Sequence, residues 1–320
     1  MIFRLKTLSY FVASAVILFG TSTSIAANRS APAVRSGGLA ELNMQILLDR
    51  ANFSSGEIDG KGGKNSQEAL AAFQTARGLA PGARSRKALL KALGADAVKP
   101  IVSYTITAED VAGPFNKTIP EDATEQSKLP GLYYTSVLEE LAGKFHSAQA
   151  LLKRLNPRAR FIAGEDIRVP NVLGTEQATR AQTGSVKIVV SKKKSVLMVY
   201  DREGQIIFYA PVTSGSEHDP LPFGNWVITD VVRNPTYNYN PALFWDGDQA
   251  NAKVKIAPGP NNPVGVVWMG INVPHYGIHG TPEAGEIGHS ASHGCVRMTN
   301  WDATRVADLV RDGTPVVFEE

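Results

Sequence analysis

Cysteine is nearly absent. The 320 residues contain one, Cys295. A single thiol excludes an internal disulfide, so in an exported chain it is either inert or chemical. An excess of one charge is also lacking. Thirty-three Lys and Arg stand against 30 Asp and Glu, a formal net charge of +3. Without Arg4 and Lys6 the balance is 31 basic minus 30 acidic, or +1. That offers no electrostatic case for nucleic acid or an anionic membrane as partner. Past the first twenty residues, no stretch is apolar enough to span a bilayer. Hydrophobic residues make up 43% and charged residues 20%, which is a globular composition rather than a disordered one.

What is present begins with an export pattern. Arg4 and Lys6 precede an apolar run over 8–19, and small residues follow over 20–27. The pattern predicts a signal peptide over 1–27, cleaved after Ala26 or Ala27. An uncleaved anchor is the alternative, but the run falls short of the ~20 residues a spanning helix needs. No stable membrane span is expected after cleavage. No cysteine is available nearby for a lipid anchor.

The expected fold class is multidomain. Residues 28–38 read as a linker. Residues 39–94 read as a small helical domain: Leu39, Leu42, Ile46 and Leu47 recur at helical spacing, as do Ala69, Leu70 and Phe73. Asn65 is the expected N-cap of its second helix, with Glu68 three residues on. A third helix is expected over 84–93. The glycine-rich stretch 56–64 is no phosphate loop. Ile58 stands where such a loop needs glycine, and Asn65 where it needs Ser or Thr. Leu47-Leu48, Gly56-x-Ile58-Asp59-Gly60 and Ala69-Leu70-x-x-Phe73-Gln74 resemble the three-helix peptidoglycan-binding domain. The usual Gly-x-x-Thr before its second helix is missing, which puts glycan affinity in question.

Residues 101–173 predict a strand at 104–106 and two short helices over 137–145 and 148–155. Leu155-Asn156-Pro157 and Ile162-x-x-Gly164-x-x-Ile167-x-Val169-Pro170 resemble the end of a LysM carbohydrate-binding module, with an insertion over 109–130. A spacer without a glycan site is the alternative. Residues 174–184 read as a second linker. Residues 185–319 then carry strand-like runs at 186–190, 196–200, 206–212, 226–232 and 315–318. One late helix is expected over 301–311, with Asn300 at its N-cap. This predicts a mostly β domain. Lys192 is expected at a solvated hairpin tip, and His146 and His218 at the surface.

The chemistry centres on Tyr276-Gly277-Ile278-His279-Gly280-Thr281 and Ser292-His293-Gly294-Cys295-Val296-Arg297-Met298. Thiol acyl transfer needs a thiolate, and His279 can take the proton and return it to a leaving amine. No carboxylate sits in either motif, so a main-chain carbonyl near Gly280 is expected to fix the imidazole tautomer. Gly294 leaves room for a substrate carbonyl, and the N–H groups of His293, Gly294 and Cys295 are candidate oxyanion donors. Metal binding competes, because His275/His279 and His289/His293 are each four apart and near Cys295. Prolines and glycines break helical geometry around both pairs, and no His-Glu-x-x-His motif occurs, so neither metal nor cofactor is expected.

Together with Pro222-Phe223-Gly224-Asn225-Trp226, these motifs resemble the L,D-transpeptidase catalytic domain of the YkuD type over 185–319. The resemblance implies a sandwich-like β fold and a periplasmic or cell-wall location. It also implies Cys295 as nucleophile and His279 as base. Ser292, His293, Gly294 and Gly280 would support the site and its oxyanion. Arg297, Tyr276 and Asn300 would bind substrate, Arg297 by reading a carboxylate bidentately unless it is only a structural pair. The implied partners are peptidoglycan stem peptides and glycan, met by a monomer. The implied reaction joins third residues of two stems. Hydrolysis by the same site (L,D-carboxypeptidase or endopeptidase), tethering of a protein lysine, and a non-catalytic wall-binding role are the alternatives.

Overall fold

The protein is described here from a computed structural model covering residues 36–80, 86–173, 185–245 and 252–320. The expected signal peptide, most of the first linker and all of the second lie outside the described residues. Among the described residues, no helix is long and apolar enough to cross a membrane.

Three helices come first: α1 (Ser36–Arg50), α2 (Lys64–Ala76) and α3 (Arg86–Ala92). The first begins at Ser36, inside the stretch read as linker. Asn65 does not cap α2. Gly63 occupies the cap without a side-chain bond, and the Asn65 amide instead donates to the Ile287 carbonyl at 3.1 Å. A cap signal in sequence sees only local partners, and here a distant one won.

Strand β1 (Ile101–Thr105), α4 (Ala123–Gln126), α5 (Val137–Lys144), α6 (Gln149–Leu155) and β2 (Asp166–Pro170) follow. β1 and β2 pair antiparallel. Ser136 caps α5, its Oγ accepting from the Glu139 N–H.

The remaining strands are β3 (Lys187–Ser191), β4 (Val196–Tyr200), β5 (Ile206–Pro211), β6 (Thr213–Ser214), β7 (Gly224–Arg233), β8 (Tyr237–Tyr239), β9 (Val254–Ile256), β10 (Val267–Ile271), β11 (Gly277–His279), β12 (Val296–Arg297) and β13 (Pro315–Glu319). Helix α7 (Asn300–Leu309) precedes the last. Nine strands run in the order β5-β4-β3-β13-β7-β10-β11-β12-β6. The front of β7 pairs with β13 and its back with β10, so one long strand joins two half-sheets. The edge strands β5 and β6 are separated in sequence only by Val212. The edges therefore meet, and the sandwich-like expectation resolves into a near-barrel.

β3, β4 and β5 read as continuous apolar runs rather than alternating ones, because both faces are covered. Inward, Ile188, Val190, Leu197, Val199 and Phe208 join the barrel core with Ile278, Val296 and Val306. Outward, Val189, Met198 and Tyr209 pack with Leu47, Leu48, Phe53 and Phe73 of the helical domain. The edge of β5 is capped by that domain too: Ser54 N–H donates to Tyr209 O at 2.8 Å, and Tyr209 N–H to Asn52 O at 2.9 Å. α1 turns its other side, Leu42 and Ile46, into the core of the β1–β2 region.

Candidate active site

His279 ends β11, and Cys295 immediately precedes β12. The two strands pair in parallel, with His279 opposite Arg297. This short pairing brings the two sequence motifs side by side. Both residues line a cleft of roughly 810 Å³.

Each residue is fixed by neighbours. The His279 ring is 4% exposed, and its Nδ1 lies 2.7 Å from the Gly280 carbonyl. A carbonyl only accepts, so Nδ1 carries the hydrogen and Nε2 is left with a lone pair. Burial pulls the ring down to about 4; the Gly280 bond opposes this, and the nearby Arg297 charge adds to it. Trp268, the register partner of His279 across β10 and β11, stacks on the ring at 5.5 Å and 21°. For Cys295, burial pushes the thiol up to about 11, against the pull of the Gly277 N–H and of Arg297. The resting pair at neutral pH is therefore thiol and neutral imidazole, and the proton must move during the attack itself.

Ser292 ties the nucleophile's turn to the sheet. Its Oγ donates to the Cys295 carbonyl at 2.6 Å and accepts the Gly215 N–H at 2.7 Å. Lys192 reaches the same place. Its Nζ donates to the carbonyls of Ser214 and Gly215, which corrects the expectation of a solvated tip: the β3–β4 turn folds over the β6 edge, and only the tertiary fold offers those carbonyls. Gly294 has φ +97°, and a Cβ there would strike the Tyr276 ring. Glycine is thus required both for the turn and for the close approach.

Asn300 does not cap α7. Thr299 does, its Oγ1 accepting from Asp302 N–H at 3.0 Å. The Asn300 side chain braces the loops beneath His279, accepting from Val266 N–H at 3.1 Å and donating to Pro260 O at 2.9 Å. A Cβ on Gly265 or Gly280 would collide with its Oδ1. Asn300 therefore lies below the cleft, where its side chain serves as a strut. Arg297 is half-buried, lines the cleft, and meets Glu283 only loosely at 3.7 Å. His293 stands edge-on to Phe244 at 5.1 Å in the cleft wall.

Sequence reasoning missed Trp268, Tyr237 and Phe244, and weighed His275 only as a metal ligand. The first three line the aromatic part of the cleft, and the His275 carbonyl accepts from Cys295 Sγ at 3.5 Å. The alternation in Val267-Trp268-Met269 was the available signal for Trp268. Tyr237 opens the short strand β8, and Phe244 and His275 lie in loops without a pattern. Among the described residues, His275, His279, His289, His293 and Cys295 form no group of three converging ligands.

Residues 185–318 match the L,D-transpeptidase catalytic domain family, YkuD. This part of the chain is an L,D-transpeptidase domain. Residues 42–82 match the family described as "Putative peptidoglycan binding domain". "Putative L,D-transpeptidase YkuD" of Bacillus licheniformis is 29% identical over 182 residues, 56% of this chain and 91% of that protein. "Probable L,D-transpeptidase YbiS" of Escherichia coli is 27% identical over 189 residues, 58% of this chain and 60% of that one. Among solved structures, an L,D-transpeptidase from Mycobacterium smegmatis aligns over 42% of this chain and 59% of its own, at 17% identity and a TM-score of 0.35. The transpeptidase domain is cysteine-dependent and acts on peptidoglycan, as its family does.

Proposed function

We propose that the protein is an exported peptidoglycan L,D-transpeptidase that joins the third residues of neighbouring stem peptides. Cys295 Sγ attacks the carbonyl of the donor's third residue while His279 Nε2 takes the thiol proton. The peptide bond to the terminal residue breaks, and His279 returns the proton to the departing amine. This leaves a thioester on Cys295. A side-chain amine of the acceptor stem attacks it, giving up a proton through the same imidazole, and the thiol is regenerated. The N–H groups of His293, Gly294 and Cys295 receive the oxyanion in both steps. Arg297, at the cleft side of β12, takes the donor's terminal carboxylate, and Tyr276 lines its path. The observation that carries the reading is the His279 tautomer. A ring whose Nδ1–H is spent on the Gly280 carbonyl presents a basic nitrogen without needing an acidic partner.

With α4 lying inside the insertion over 109–130, the remaining order β1-α5-α6-β2 of residues 101–170 supports a LysM-like reading of that region. The loop over 56–60, however, is covered. Ile58 N–H donates to His146 O, and Ala148 N–H to Ile58 O, both at 2.9 Å. Glycan contact by the helical domain would have to use another face. Incubating the purified chain with a disaccharide-tetrapeptide and reading products by mass spectrometry tests the proposal. A dimer lacking one terminal residue is expected. Tripeptide alone would assign a carboxypeptidase, and no conversion would sink the enzyme reading.

A further inference from the structure

His146 belongs to neither motif and was expected at the surface, yet it is 3% exposed. It sits between α5 and α6 with its backbone in the left-handed region, φ 47°. Two distant parts of the chain, α1 and the start of α7, converge on its ring. Nδ1 lies 2.7 Å from Asp49 Oδ2 of α1. Nε2 lies 3.2 Å from Thr299 Oγ1 and 3.8 Å from Asp302 Oδ2 of α7. Trp301 stacks on the ring at 5.3 Å and 13°. Arg305, also of α7, donates to Asp49 Oδ1 at 3.1 Å and to Asn52 Oδ1 at 2.7 Å. Glu57, in the loop after α1, adds a further carboxylate acting on His146.

The hydrogens can be counted. Asp49 accepts from Arg305 and from the ring, so Nδ1 carries a hydrogen. Thr299 Oγ1 has one hydrogen, which goes to Asp302 Oδ2 at 2.8 Å. The same oxygen accepts the Asp302 N–H. The remaining contact of Thr299 Oγ1 is then with a donor, so Nε2 carries a hydrogen as well. Both nitrogens donate, and the ring is an imidazolium. Burial pushes the Asp302 carboxyl up, and His146 with the Thr299 and Ser54 hydroxyls pulls it back. With both carboxyls ionised, Asp49 and Asp302 balance Arg305 and His146 in a dry site where an unbalanced charge is costly. The carboxylates contact opposite nitrogens of the ring, and Arg305 already occupies Asp49. The ring therefore bridges them through hydrogen bonds rather than sharing one metal ion with them.

The cluster abuts the catalytic strand. Thr299 follows Met298, whose N–H donates to the His279 carbonyl at 2.9 Å. Met298 in turn follows Arg297, the register partner of His279. We propose that His146 is a positioning residue for acyl transfer: as an imidazolium it fixes the Thr299 hydroxyl and so holds β12 against β11, with Arg297 and His279 in place. Asp49 of the helical domain, its counter-ion, is thereby part of the same support. The inference rests on reading Cys295 as the acyl-transfer nucleophile.

Two measurements on the purified full chain test it. In protein labelled with ¹⁵N-histidine, one of the six histidines should show both ring nitrogens protonated at pH 7.5, and that signal should vanish in H146Q. A neutral-tautomer pattern for His146 would overturn the proposal, whatever the enzyme's activity. The second readout is the rate at which a carbapenem adds its mass to Cys295. H146Q and T299V should each slow it about tenfold, the pair together no more than one alone, since groups acting as one unit are not additive. T299S, which keeps the hydroxyl, should restore the rate. A wild-type rate in H146Q, or a multiplied loss in the double variant, would refute positioning through Thr299. If H146Q fails to fold, T299V against T299S decides. Failure of the wild type itself to acylate would strike the nucleophile reading instead, leaving the protonation result standing.

Discussion

His279 and His146 are buried to almost the same depth, at 4% and 3% exposure, yet their surroundings drive them in opposite directions. Around His279 stand a carbonyl, a tryptophan face and the like charge of Arg297, so burial prevails and the ring is pulled down to about 4. Around His146 burial works the same way but is outweighed by Asp302 and Asp49, and the ring is pushed up. Depth alone does not set protonation; the sign of the nearest charges does. One histidine is left as a neutral base in a cleft, the other is held as a cation between domains.

The comparison breaks most severely if the cleft loses its chemistry. Cys295→Ser replaces the thiol by a hydroxyl far harder to ionise, and the neutral imidazole has no buried carboxylate behind it. Carbapenem acylation and cross-linking should fall by about 10³ or more with the fold retained. A serine variant with wild-type cross-linking would contradict the mechanism. His279→Ala should slow acylation by about 10²–10⁴, the range for a lost general base, without lowering the melting temperature comparably.

Removing a charge from the other site should do the reverse. Asp49→Ala leaves His146 and Arg305 without their shared anion and should cost about 3–5 kcal/mol of stability, measured by denaturant unfolding. Loss below about 1 kcal/mol would mean the cluster is not a dry, coupled unit.

The two histidines should also bound the stability profile from opposite sides. His146 has its folded pKa raised above an unfolded value near 6.5, so its contribution is full below about 6.5 and is lost as pH rises through the folded value. His279 has its folded pKa lowered to about 4. Between about 4 and about 6.5 the unfolded chain binds the extra proton, so that contribution is full above about 6.5 and is lost on acidification. Melting temperatures across pH should therefore flatten on the alkaline side in H146Q and on the acid side in H279Q. Identical profiles for the two variants would remove the contrast.

A last comparison sets the scale for ordinary surface charge. Lys128 lies 2.5 Å from Glu125, with the two side chains 62% and 54% exposed. Lys128→Ala should change stability by less than about 0.5 kcal/mol, which the same unfolding measurement can register as nearly nothing.

Much of this was legible in the chain. Helical and strand periods placed the longer helices and β1, β3, β4, β5, β7 and β13, since burial of one face imposes those periods directly; α4 and the strands β8 to β12 were not foreseen. The His279 and Cys295 motifs could be read because each needs its glycines and its reactive side chain within a few contiguous residues. The four faults have a common cause. Asn65, Asn300, Lys192 and His146 all carry polar side chains whose partners lie far away in sequence, at Ile287, at Pro260 and Val266, at Ser214 and Gly215, and at Asp49 and Asp302. Local propensity assigns such groups to caps, tips or solvent.

The sequence by itself determined that a thiol and an imidazole would stand in glycine-rich segments, within a chain of a helical domain and a β domain. Only the tertiary structure decided their protonation. It set Trp268 and Arg297 around one histidine and brought Asp49 from α1 and Asp302 from α7 to the other. The reason is that covalent neighbours fix geometry over a few ångströms along the chain, whereas burial and charge act through space, between residues whose proximity exists only once the domains have packed.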